Sequence, residues 1–262
     1  MTSRNTVQCP TVRARRRSGA GFSLVEMSVV LLIVTLLLGS VLVPLSAQVD
    51  ERKFSETSKQ LDQIKEALIG FALANGYLPC PAISSTNGLE DRTGTTCTGG
   101  KRSGFLPWTT LGIAPSDAWD DLYGYSVTPA FTNSNPISVF TLSSVGDITI
   151  QTRDNLGNVV NLSNAGSIPA VVISFGKNGY GATGRGGIPR VIPAGWAGDE
   201  QVDYTSATTA AACTAPYAAT PCFVWRVRTD NAGASGGVYD DLVVWITPGI
   251  LFSRMVAAGR LP

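Results

Sequence analysis

Three acid doublets are the first residues to consider for chemistry: Asp120–Asp121, Asp199–Glu200 and Asp240–Asp241. Glycoside hydrolysis needs two carboxylates facing each other across a bond. Neighbours on a strand point to opposite faces, so no doublet makes a facing pair by itself. The chain has no histidine. That excludes Ser-His-Asp and Cys-His catalysis, His-ligated zinc and a histidine proton shuttle. No Gly-x-Ser-x-Gly segment occurs either. Trp108, Trp119, Trp196, Trp225 and Trp245 are open to a carbohydrate-platform reading, but buried core positions are the commoner use of tryptophan. The expectation is a protein that is not an enzyme.

Gly179-Tyr180-Gly181-Ala182-Thr183-Gly184 fits the spacing Gly-x-Gly-x-x-Gly, after the apolar run 170–175 and some 20 residues before Asp199 and Glu200. In a dinucleotide site this loop opens a helix whose N-terminus holds the pyrophosphate. Here Arg185-Gly186-Gly187-Ile188-Pro189 follows, then Pro193, and no helix of useful length starts there. The expectation is a glycine-rich surface loop.

The elements that position these groups follow from composition and pattern. The 262 residues are 44% hydrophobic and 15% charged, too apolar for a disordered chain. A formal charge of +1 suggests no nucleic-acid partner. Arg4, Arg13, Arg15, Arg16 and Arg17 give residues 1–21 a basic, acid-free head. Residues 22–49 are then nearly all apolar, with Glu26 the one charge. A run of this length predicts a membrane-crossing helix with its basic side inward. A carboxylate in such a helix is costly, and no cation follows within 25 residues. Glu26 is therefore expected to meet a cation from another chain.

Gly21-Phe22-Ser23-Leu24-Val25-Glu26, behind a basic leader and ahead of an apolar helix, resembles the N-terminal signal of type IV pilins and type II secretion pseudopilins. The resemblance covers roughly residues 13–75. It implies cleavage after Gly21 by a prepilin peptidase, methylation of Phe22, and pairing of Glu26 with the new terminal amine of a neighbouring subunit. It also implies a leader (1–21), a transmembrane helix (22–49), an amphipathic continuation (50–76) and a periplasmic β-rich domain (77–262). The implied setting is the inner membrane, single-pass. The implied partners are homologous subunits, an assembly platform and the lipid bilayer.

Residues 50–75 support the continuation. Phe54, Leu61, Ile64, Leu68 and Phe71 mark one helical face, and Asn75-Gly76 with Pro79 is a stop signal. From Phe22 to Asn75 such a helix measures about 80 Å, loosened at Gly39 or Pro44. The remainder predicts short strands at 122–128, 138–142, 148–152, 170–175, 223–228 and 242–246, with a last helix at 249–258. Residues 80–107 and 176–222 read as irregular insertions. The fold class is α+β, a long helix packed on an antiparallel sheet. Loss of the leader removes Cys9 and leaves Cys80, Cys97, Cys213 and Cys222. Four cysteines allow three pairings. The expected one joins nearest neighbours, Cys80–Cys97 and Cys213–Cys222.

Two further stretches resemble major pseudopilins. Asp117-Ala118-Trp119-Asp120-Asp121-Leu122-Tyr123-Gly124-Tyr125 is similar to their Asp-x-Trp-Gly-x-x-Tyr-x-Tyr, with Asp120 in the place of glycine. Ser174-Phe175-Gly176-Lys177-Asn178-Gly179 is similar to their Ser-x-Gly-x-(Asp/Asn)-Gly, and Tyr239-Asp240-Asp241-Leu242 to the acidic stretch after it. That region binds calcium in the family, which implies Asn178, Asp240 and Asp241 as ligands. Some 60 residues separate Asn178 from Asp240, so the favoured expectation is that these aspartates cap turns or stay solvated. The functional expectation is a minor pilin-like subunit of a type II secretion pseudopilus or a type IV pilus. The alternative is a membrane-tethered periplasmic binding module that does not polymerise.

Overall fold

The computed structural model describes residues 21–137, 139–218 and 220–261, with the backbone alone at 38–45. The expected leader up to Ala20, Cys9, Ser138 and the side chain of Pro44 lie outside the described residues. The chain divides into two compact units at Gln48/Val49.

In the first unit, helix α1 (Leu24–Asn75) begins. Its start is a reciprocal cap. The Ser23 amide donates to Glu26 Oε2 at 2.8 Å, and the Glu26 amide donates to Ser23 Oγ at 3.2 Å. A Ser-x-x-Glu box of this kind satisfies two of the orphan amides of a helix N-terminus. Ser28 and Thr35 return their hydroxyls to backbone carbonyls one turn back, so the stretch spends its polar groups on itself. Its apolar side chains face outward, with Phe22 79%, Leu24 90% and Val25 70% exposed.

Among the described residues, no helix is long and apolar enough to cross a membrane. This corrects the expected transmembrane helix, and with it the single-pass inner-membrane placement and periplasmic domain.

In the second unit, α1 runs to Asn75, and the chain leaves it through Gly76, whose φ of 86° is left-handed. Arg260 closes the end by donating to the carbonyl of Leu73. The buried seam is Leu61, Ile64, Leu68, Ile69 and Ala72. Phe71 is only half-buried and rests edge-on against Tyr77, with ring centres 5.7 Å apart. Ile69 and Ala72 take the places against the sheet because a helix stripe is set by the surface opposite it.

A two-residue hairpin follows, β1 (Arg92–Thr93) and β2 (Thr96–Cys97). Then come β3 (Ser103–Phe105), the one-turn α2 (Trp108–Leu111), β4 (Gly124–Val127), β5 (Thr149–Arg153), β6 (Val159–Asn161) and β7 (Ala170–Ser174). The chain ends with α3 (Asp199–Thr209), β8 (Cys222–Val224), β9 (Leu242–Ile246) and α4 (Pro248–Ala257). One antiparallel sheet has the order β3-β4-β7-β9. A second, β6-β5-β8, is mixed, because β5 and β8 run parallel. The fold is α+β.

Strand β7 shows why two layers flank the main sheet. Ala170 and Val172 enter the core shared with α1 and α4, while Val171 and Ile173 enter a second core with Ile148, Ile150, Phe223 and Ala207. A strand buried on both faces reads as a continuous apolar run, as Ala170–Ser174 does. The expected strand at 138–142 is not formed among its described residues. Phe140 instead packs on Phe131 and Phe252. The region 176–222, expected to be irregular, contains α3.

Candidate metal centre

Strand β9 opens with an acid pair. Asp240 and Asp241 precede Leu242 and are buried, 7% and 4% exposed. The turn after β7 meets them. Gly176, at φ 63°, comes so close that a Cβ there would stand 2.2 Å from Asp240 Oδ1. A side chain at this position would be blocked by space as well as by backbone conformation. Two residues on, the Asn178 amide donates to Asp240 Oδ2 at 2.9 Å. The turn and the acids are thus adjacent across 62 residues of sequence.

Helix α3 brings the third acid. Glu200, in its first turn, accepts from the Asp240 amide and from Asn178 Nδ2, both at 2.9 Å, and from Trp196 Nε1 at 3.3 Å. Carboxylate oxygens of Glu200, Asp240 and Asp241 lie within 4.8 Å of one another. Three of the cluster's oxygens, Asp240 Oδ1 and both of Asp241, are buried with no hydrogen-bond partner among the described residues. Burial pushes the Asp240 carboxyl up to about 7, with the Glu200 charge adding to it. Burial and then the charges of Asp203, Glu200 and Asp240 hold Asp241 well above the usual carboxylate range.

The neighbouring acids are provided for differently. Asp199 has no exposure and is clamped by Arg153 at 2.7 Å and Arg226 at 2.8 Å, with the Tyr217 hydroxyl donating to it at 2.8 Å. Asp203 accepts the Val224 amide at 2.6 Å. Among the described residues Glu200, Asp203, Asp240 and Asp241 form no salt bridge, in contrast to Asp199.

Leaving buried acceptors unsatisfied costs about 1–3 kcal/mol each, and more when they are charged. A hard divalent cation removes that cost. Calcium takes six to eight oxygen ligands and tolerates irregular geometry. Glu200, Asp240 and Asp241 fit it, because their carboxylates converge, three oxygens of the two aspartates being free, where α3, the start of β9 and the turn after β7 meet. The ion would neutralise charge and tie α3 to the start of β9. The expected ligand Asn178 is corrected. Its Oδ1 already accepts the Tyr180 amide, and its Nδ2 faces the acids as a donor. It orients Glu200 and Asp240 instead. Of the expectation that these aspartates cap turns or stay solvated, solvation does not hold, since both are buried, whereas Asp240 does accept an amide of the turn after β7.

The chain matches no protein-family model, no curated protein and no solved structure.

A second network joins the other distinctive segments. Asp117 Oδ1 accepts the amides of Trp119 and Asp121, and its Oδ2 accepts the Ser174 hydroxyl at 2.5 Å. Burial raises the Asp117 carboxyl to about 6 despite these bonds. Asp120 sits at φ 64°, a conformation natural to glycine, although it carries a side chain. Tyr123 donates to Gln60 of α1 at 2.7 Å, and Tyr125 to the carbonyl of Pro79 at 3.1 Å.

The remaining expected sites are placed simply. Both nearest-neighbour disulfides are formed, Cys80–Cys97 at 2.04 Å and Cys213–Cys222 at 1.97 Å. Gly21, Phe22 and Glu26 are exposed at the start of the described chain. Glu200 was noted only as half of an acid doublet, and its place beside Asp240 and Asp241 was not expected. Its signal was the acid run Asp199, Glu200 and Asp203, spaced for one helical turn. That signal stayed hidden because no helix was expected in the insertion.

Proposed function

We propose that the protein is a pilin-like structural subunit, cut after Gly21, methylated at Phe22 and assembled with homologous subunits. The assembly is a type II secretion pseudopilus or a type IV pilus, and the position a minor one. The observation that carries this reading is the convergence of three sequence-remote segments. Residues 117–125, 174–179 and 239–245 each resemble the pseudopilin pattern. They meet through Asp117–Ser174, Asn178–Asp240 and the adjacency of β4, β7 and β9. Asp120 adds to it, holding a left-handed backbone where the pattern has glycine.

Exposed apolar side chains from Phe22 to Leu37 supply a packing surface for copies of the same helix. Glu26 keeps its second oxygen for a subunit's terminal amine while the first serves the cap. A bulky domain carrying the α3 insertion fits a terminal or infrequent position better than a repeating shaft. Within it, a calcium ion held by Glu200, Asp240 and Asp241 acts as a structural clip.

The test is intact-mass analysis of the full chain co-expressed with a prepilin peptidase. The expected product begins at Phe22 and carries one added methyl group. A product that still begins at Met1, or one cut beyond Ala47, overturns the reading.

A further inference from the structure

The glycine-rich loop excluded above as a dinucleotide site forms one wall of a cavity of about 360 Å³ in the second unit. Six separate segments line it: residues 83–84, β3 with its flank, Gly124 of β4, Phe175 after β7, the loop 181–192 and the last turns of α3. Its walls are apolar, with Phe105, Phe175, Tyr204 and Ala207 among them. Glycine sets its shape. A Cβ at Gly181, where φ is 82°, would stand 2.4 Å from the Tyr204 ring. The ring can take this place only because that position is bare.

The charges at the rim are already spent. Lys101 uses its three ammonium protons on Asp91 Oδ2 and on the carbonyls of Ala82 and Ile83. Arg190 donates Nε to Asp121 at 2.7 Å and Nη2 to the Trp119 carbonyl at 3.1 Å. Each cation is matched by its own acid, so the rim offers an ionic ligand no net attraction. Two threonine hydroxyls keep hydrogen-bonding capacity. The Thr183 hydroxyl lines the cavity and makes no hydrogen bond to the protein among the described residues. The Thr208 hydroxyl donates to the Tyr204 carbonyl and keeps its lone pairs.

We propose that this cavity binds a small uncharged ring compound, aromatic or alicyclic, carrying a hydroxyl group that bonds to Thr183. A volume near the lower end of the usual range for ligand pockets, about 300–1,000 Å³, suits one or two fused rings and is far too small for a dinucleotide. The inference does not depend on the pilin reading.

The test uses the full chain with 2-naphthol as probe, by calorimetry and ligand-observed NMR. Saturable one-site binding is expected. Thr208→Trp fills the mouth from an exposed helical position and is expected to abolish binding. Thr205→Trp, on the same helix but not among the cavity's lining, is expected to keep it. Thr183→Val keeps the shape, removes the hydroxyl and is expected to weaken binding about fivefold. Absence of saturable binding, or unchanged affinity in both Thr208→Trp and Thr183→Val, overturns the proposal. Equal affinity for the anion 2-naphthoate overturns the uncharged class.

Discussion

Glu26 and Asp241 are the same functional group in opposite circumstances. Glu26 sits on an exposed turn and already holds the Ser23 amide, so the folded chain meets part of its need. Asp241 is 4% exposed and neither of its oxygens has a partner. An acid in an apolar sequence is therefore not the same as an acid in an apolar environment. The one that looks stranded in the sequence is capped. The one that looks ordinary, in an Asp-Asp pair at the edge of a strand, carries the larger electrostatic debt.

The largest test of this contrast is the addition of cation. Calcium at about 100 times its dissociation constant should stabilise the protein by about 2.7 kcal/mol. For a unit of this size that is a rise in Tm of about 5–10 °C. Asp241→Asn should abolish the response without lowering the calcium-free Tm at pH 8, since it removes a buried charge. A calcium response that survives in Asp241→Asn would show that the cluster is not the site.

Acidity provides the second test. The folded-state carboxyl of Asp240 is raised to about 7 and that of Asp117 to about 6, both above the unfolded value near 3.8. The folded protein therefore binds more protons than the unfolded chain between about pH 4 and pH 7. Without cation, the contribution of these groups is fully present below pH 4 and is lost as the pH rises through 6 and 7. The loss should reach a few kcal/mol by pH 8. Chemical denaturation in chelator across this range measures it, and calcium should restore the part due to Asp240 at pH 8. A flat calcium-free profile would argue that these acids are more solvated than their burial indicates.

A third variant probes the geometry alone. Gly176→Ala puts a methyl group against Asp240 and forces a left-handed residue to carry a side chain. It should cost about 2 kcal/mol or more and weaken the calcium response, both read from thermal melts. The smallest effect belongs to Glu26. Glu26→Ala should cost the start of α1 about 1 kcal/mol, visible as faster amide exchange at residues 24–27 and not in the Tm of the second unit. Glu26→Gln should keep the cap, since glutamine serves in the same box. Subunit assembly that fails equally in Glu26→Gln would assign the role to charge, whereas assembly rescued by glutamine would assign it to the cap.

Much of the frame was legible in order along the chain. The stop of α1 at Asn75 followed from Gly76 and Pro79, because backbone conformations that favour glycine and exclude proline's missing donor are local properties. Strand β9 and helix α4 were legible from apolar runs bounded by turn residues. Helix α3 was not. Its polar sequence, rich in Thr and Asp, has little periodicity, and it forms because its own Ser206 and Ala207 are buried against the domain and Asp199 is clamped by two arginines. The expected membrane helix has no counterpart among the described residues, where no helix is long and apolar enough to cross a membrane.

The sequence by itself determined the α+β class, the histidine-free chemistry, the end of the long helix and the four cysteines available for two local bridges. These rest on composition and on short-range conformational preference. Tertiary structure alone decided that Glu200 joins Asp240 and Asp241, that Asn178 donates to them, and that a glycine loop walls a cavity. Each of these depends on bringing together groups tens of residues apart, and on burial, which turns an unremarkable carboxylate into one that needs a counter-ion.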